Sequence, residues 1–163
     1  MNISLKLNYR EAIREEFLPI IVNCGFKSDE HIFPKRKGVY IFSRQSENKK
    51  YFDVLYIQVK NGLFPDENNQ FKPLNYFDLY LDVIDVVTKN RFTNLAIKLL
   101  APTKVNSFVG GWKFESKEEL KNNLKIAAEE VLSRGERILD ILKINPKDEN
   151  IKRIAYQGSL WEY

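Results

Sequence analysis

The amino-acid sequence predicts an α+β protein: an antiparallel sheet of four to five strands flanked by an N-terminal helix and C-terminal helices. Three observations carry this. Apolar residues recur at helical spacing near the start, the spacing then changes to two through the middle of the chain, and Ser116-Lys117-Glu118-Glu119 opens a second helical stripe. Strands in a run followed by helices, without regular βαβ alternation, argue for a sheet covered by helices on one face. The 163 residues read as a single α+β domain over 1–163. A chain of this size buries about 70% of its unfolded surface and needs no metal or crosslink to fold.

The elements follow in order. Tyr9, Ile13, Phe17, Ile20 and Cys24 line one face of an amphipathic helix. Asn8 is placed to cap its start, and Gly25 followed by Phe26 has the form of a glycine C-terminal cap with its apolar contact. Pro19 removes one backbone donor from this stripe, which predicts a kink or two short helices. Gly38 to Ser46 and Tyr51 to Val59 are rich in β-branched and aromatic residues, and the turn material Glu47-Asn48-Lys49-Lys50 joins them as an antiparallel hairpin. A short strand around Ile32 and Phe33 precedes it. Residues 61–73, with Gly62, Pro65, Asp66, Glu67, Asn68 and Asn69, read as a loop of about a dozen residues.

Tyr76 to Val87 alternates cleanly. Phe77, Leu79, Leu81 and Val83 occupy one parity and face a core, while Tyr76, Asp78, Tyr80 and Asp82 occupy the other and face solvent or a partner. Residues 94–100 form a further strand ended by Pro102, although Leu95 to Leu100 also has helical propensity. After a loop over 103–111, Trp112-Lys113-Phe114 is a short strand leading into the Ser116 capping box. Leu120, Leu124, Ala127, Val131, Ile138 and Leu142 continue one stripe, with Gly135 as a break or bend and Asn145-Pro146 as the stop. Residues 148–156 form one more short helix before the tail containing Trp161 and Tyr163.

Charge narrows the partner. The formal net charge is +4, and its whole excess lies in residues 1–50, which hold 10 basic and 6 acidic groups. The clusters there, Lys35-Arg36-Lys37 and Lys49-Lys50, flank one strand and so stand roughly 30 Å apart. They make no continuous phosphate-binding stripe, which argues against nucleic acid. One cysteine excludes an internal disulfide and favours a reducing compartment. The charged first residues hold no secretory apolar core, and the apolar run Phe17 to Val22 is too short for a membrane span and contains Pro19. The expectation is a cytoplasmic protein without a membrane partner.

Catalytic chemistry finds little to build on. His31 is the only histidine, and Cys24 lies on the apolar stripe as a small core residue. One His and one Cys cannot make a zinc site. Asp78 and Asp82 share a strand face while Asp85 points to the other, which spoils a three-carboxylate cluster but leaves two groups for general acid and base work. Gly110-Gly111 lacks the spacing and the following Lys of a phosphate loop. No cofactor or metal is expected. The most informative feature is the Tyr/Asp ladder of Tyr76, Asp78, Tyr80 and Asp82, with Tyr51 and Asp53 repeating the Tyr-x-Asp order on the neighbouring strand. Tyrosines give contact area at low entropic cost, and carboxylates meet basic partner groups.

The helix ending in Cys24-Gly25-Phe26-Lys27, the Phe33 strand, two aromatic strands with Gln58, and Trp112-Lys113-Phe114 before a Ser-x-x-Glu-Leu helix resemble a bacterial domain-of-unknown-function family of small helix, antiparallel-sheet, helix proteins. The resemblance covers roughly residues 8–142. Some comparable α+β proteins are similar to toxin-immunity proteins, which occlude a toxin. The resemblance implies a non-catalytic binder and carries no catalytic residue; the basic net charge departs from the acidic character of a nuclease blocker. The sequence thus points to a binding protein, immunity-like, that engages a protein partner through Tyr51, Asp53, Tyr76, Asp78, Tyr80 and Asp82. The alternative is a small metal-assisted hydrolase or nucleotide-processing enzyme using Asp78 and Asp82.

Overall fold

A computed structural model describes residues 8–29, 37–88 and 96–159. The expectations for His31, for the strand around Ile32 and Phe33, for Lys35-Arg36 and for the tail with Trp161 and Tyr163 lie outside the described residues. The chain runs α1 (Tyr9–Ala12), a π-helical segment (Ile13–Phe17), α2 (Leu18–Val22), β1 (Lys27–Ser28), β2 (Val39–Gln45), β3 (Tyr51–Pro65), β4 (Phe71–Asp85), β5 (Ile97–Leu99), β6 (Ser107–Phe108) and β7 (Gly111–Phe114). It ends with α3 (Lys117–Glu130), a second π-helical segment (Val131–Gly135), α4 (Glu136–Ile144) and α5 (Asn150–Tyr156). This is the expected α+β class, with seven strands among the described residues where four to five were expected.

The first helical stretch is two short α-helices, as Pro19 predicts, joined by a π-helical segment. The π-helical segment lies immediately before Leu18 and Pro19, where the proline ring would clash with an α-helical carbonyl four residues back. Both caps form. Asn8 Oδ1 accepts from the amide of Glu11, while the Phe26 amide donates to the Ile21 carbonyl and the Gly25 amide to that of Val22. Gly25 has φ +89° and Phe26 is buried, which completes the Schellman geometry and its apolar contact. Ser116 caps α3 as expected, with Oγ accepting from the Glu119 amide, although the Glu119 carboxylate reaches back to the amide of Glu115.

The loop expected over 61–73 is instead the far end of a long hairpin. β3 and β4 pair in one unbroken register from Tyr51↔Asp85 to Pro65↔Phe71. The turn closes on Asp66, whose Oδ1 accepts from the amides of Asn68 and Gln70 while its own amide donates to the Gln70 carbonyl. Because the Asp66 amide points across the arm to the Gln70 carbonyl, Pro65 and Pro73, at the alternate positions of their strands, point their missing donors away from the facing strand, toward an open edge. Gly and Pro in this stretch mark an edge rather than a loop.

β4 is the centre of the sheet. β3 lies on one side with β2 and β1 beyond it, and the other side is shared by β5, opposite Leu79–Leu81, and β7, opposite Asn75–Phe77. All helices pack on one face. Phe42, Leu55, Ile57, Phe77, Leu79, Leu81, Val83, Trp112 and Phe114 meet Phe17, Ile21, Leu120, Leu124, Val131, Ile138 and Leu142 there in one continuous core. Gly135 does not break the long helix: the chain runs from α3 through the π-helical segment into α4, and Gly135 keeps helical φ as the cap residue of α4. A smaller cluster of Ile41, Val54, Tyr56 and Ile84, joined by Val39, Phe52, Tyr80 and Ala96, lies on the opposite face.

Candidate functional site

Register divides the six Tyr/Asp residues between two faces. Tyr51 and Asp53 are paired with Asp85 and Val83, on the helix-covered side. Asp78 and Asp82 are paired with Gln58 and Val54, on the other side with Tyr76 and Tyr80. The expectation that all six form one recognition face is therefore corrected: β3 and β4 are antiparallel neighbours, and residues share a side only when their positions face one another across the ladder. The expectation of exposure is corrected as well. Asp78 and Asp82 are 0% exposed, Asp53 is 1% exposed and Tyr76 is buried; only Tyr51 and Tyr80 are half-buried.

Buried carboxylates must be paired, and the structure supplies the partners. Asp78 Oδ2 lies 2.8 Å from Lys60 Nζ and its Oδ1 lies 2.9 Å from Lys98 Nζ. The Tyr80 hydroxyl donates to Oδ2 at 3.2 Å, and Lys98 also donates to the Val109 carbonyl at 3.0 Å. Gly111 lets β7 approach this group: a Cβ there would stand 2.6 Å from the Tyr76 ring and 2.8 Å from Asp78 Oδ1. Around it Tyr76, Phe64 and Phe108 form an aromatic cluster, with the Lys60 ammonium 5.8 Å from the Tyr76 ring centre. Asp82 Oδ1 accepts from the Val83 amide at 2.9 Å.

On the helix side, Asp53 sits between Arg44 Nε at 2.8 Å and Lys143 Nζ at 2.8 Å. Arg44 also grips Glu136 with two nitrogens at 2.6 Å, donates to the Cys24 carbonyl at 3.0 Å and stacks over Phe26 at 4.4 Å. Burial works to lower the Arg44 pKa, yet the Glu136 and Asp53 carboxylates hold it above its ordinary value. This network ties β2 and β3 to α4 at the floor of a cleft of about 600 Å³ that also contains Asp140 and Ser46.

Sequence reasoning missed these cations for different reasons. Arg44 faces Asp53 across the β2–β3 ladder, a pairing that follows from the expected turn at residues 47–50. Lys60 meets Asp78 only once residues 61–73 are strand rather than loop, and Lys98, Lys143 and Glu136 arrive from distant elements. Among the described residues no three His, Cys, Asp or Glu side chains gather as a metal site, and no helix is long and apolar enough to cross a membrane. Lys37 and the pair Lys49-Lys50 stand before and after β2, at its opposite ends.

Alkaline pH tests the Asp78 group. The hydrogen bond to Asp78 raises the Lys60 pKa above 10.5, and burial followed by the Asp78 charge raises that of Tyr80 above 10.0. Both groups hold their protons more tightly folded than unfolded, so this contribution is complete below about pH 10 and is lost as pH rises through the folded values. Asp78→Asn removes a shared cause of both shifts. Its urea midpoint is expected to fall less between about pH 8 and pH 11 than that of the parent protein; parallel profiles would show that Asp78 does not couple to the two groups.

The chain matches no family model, and no curated protein or solved structure matches it.

Proposed function

We propose that this is a non-catalytic binding protein, immunity-like in its mode of action, that engages a protein partner through the outer end of the β3–β4 hairpin. The observation that carries this reading is a strip of uncovered apolar side chains. Leu63 and Phe71 are 64% and 68% exposed, and with Pro65 and Pro73, also exposed, they occupy one side of the hairpin beyond the helices. Tyr9 of α1 bonds Asn61 at the point where the helical cover stops. Large apolar residues concentrated on a projecting element, rather than scattered singly, mark interaction surfaces.

The Tyr/Asp ladder supports this reading in an altered role. Asp78 is neutralised by Lys60 and Lys98 and ties β3, β4 and β5 together at the base of the arm, while Tyr80 stays partly accessible at its rim. Pre-organisation of this kind lowers the ordering cost of association. The alternative, metal-assisted hydrolysis by Asp78 and Asp82, has weaker support, because a metal at Asp78 must displace two ammonium groups already within 3 Å.

Leu63→Asp/Phe71→Asp is the test. Both side chains are exposed, so the variant is expected to melt as the parent does while a native pull-down loses the parent's partner. Unchanged recovery of every captured protein would sink the reading.

A further inference from the structure

The helical side carries a second surface, chemically unlike the hairpin and independent of the reading above. α4 and α5 enclose a groove of about 530 Å³ with Ile141 and Ile154 among its lining residues and Arg137 and Arg153 beside them. A neighbouring cleft of about 430 Å³ shares Arg137 and Gln157 with it and adds Lys104 from the segment after β5. All three cations are exposed, and among the described residues none has a carboxylate partner. Among the described residues the one carboxylate lining this pair of clefts, Glu130, is held by Arg134 Nε at 2.6 Å.

Three free cations along two adjoining clefts with an apolar element are complementary to a ligand that alternates carboxylates with aliphatic groups. Guanidinium forks take carboxylates bidentately, and the amides of Asn150 and Gln157 supply neutral hydrogen-bonding groups beside them. Both clefts are open to solvent, which suits an extended segment better than an enclosed small molecule. Among the described residues no aromatic side chain lines either cleft for base stacking, which disfavours single-stranded nucleic acid. We propose that the α4–α5 groove binds an extended acidic peptide segment of a partner protein, its carboxylates on Arg137, Arg153 and Lys104 and an aliphatic side chain between Ile141 and Ile154.

The test is fluorescence anisotropy with a labelled peptide of alternating Glu and Leu, about a dozen residues long, beside a Lys/Leu peptide and a single-stranded oligonucleotide of equal charge to the first. The intact protein is expected to bind the Glu/Leu peptide and not the Lys/Leu one. Arg137→Glu/Arg153→Glu should weaken binding by roughly tenfold or more, and Lys104→Glu alone by a smaller factor. Leu63→Asp/Phe71→Asp should leave it unchanged, which separates this surface from the hairpin. Affinity insensitive to the charge reversals, no binding by the intact protein, or tighter binding of the oligonucleotide with the same sensitivity would each overturn the proposal. Melting temperatures confirm that each variant is folded.

Discussion

Replacing Arg134 with methionine is expected to lower the melting temperature by roughly 10 °C, a loss of about 3–5 kcal/mol. Arg134 lies in the π-helical segment between α3 and α4 and is buried despite its charge. Its Nε meets Glu130 at 2.6 Å, one terminal nitrogen donates to the carbonyls of Ala155 at 2.8 Å and Gln157 at 3.2 Å, and the other donates to that of Leu100 at 2.8 Å. A single side chain thus joins the long helix, the end of β5 and the C-terminal end of α5. Methionine keeps most of the apolar stem but withdraws every donor, leaving buried carbonyls and the Glu130 carboxylate with fewer partners. Glu130→Gln retains a hydrogen-bond acceptor beside Arg134 and should cost much less. Thermal denaturation followed by circular dichroism decides the matter: a shift under about 2 °C for Arg134→Met would mean that these hydrogen bonds contribute no net stability.

The second large effect is expected at Trp112, with the informative result in the comparison of two substitutions. Trp112 is fully buried on β7, stacked on Phe77 with ring centres 5.7 Å apart and planes 7° from parallel. Among the described residues its Nε1 has no hydrogen-bond partner. Trp112→Ala removes a large part of the core and should cost about 3–5 kcal/mol. Trp112→Phe keeps an aromatic ring in the stack and discards a donor that is already unsatisfied, so it should cost less than half as much. Urea denaturation of both variants provides the check. Equal losses would show that the indole nitrogen has a partner, or that shape rather than aromatic burial dominates at this site.

The local signals in the sequence were reliable where neighbouring residues settle the structure by themselves. Asn8, the Gly25-Phe26 cap, the Ser116 cap and the hairpin closing at residues 47–50 each depend on groups within a few positions of one another, and each forms. The apolar parity of Phe77, Leu79, Leu81 and Val83 also held, because side chains alternate strictly along a strand and the helices need an apolar face to cover. Residues 61–73 misled because Pro and Gly mark both loops and the open edge of a two-stranded arm. The signals differ only in register, and register depends on the facing strand.

The candidate site was legible in its residue types and not in its arrangement. Alternation along β4 correctly grouped Tyr76, Asp78, Tyr80 and Asp82 on one side, and the chain's own chemistry determined that carboxylates placed there need cations if water is excluded. Which lysines answer that need is a long-range matter: Lys60 comes from the facing strand and Lys98 from β5. The division of Asp53 from Asp78 likewise depends on how β3 lies against β4. The sequence by itself determined the fold class, the helix ends and the inward apolar face, because those follow from local propensity and periodicity. Only the tertiary structure decided which polar side chains are sealed into ion pairs and which apolar ones remain uncovered on the arm, since burial belongs to the packing of distant segments.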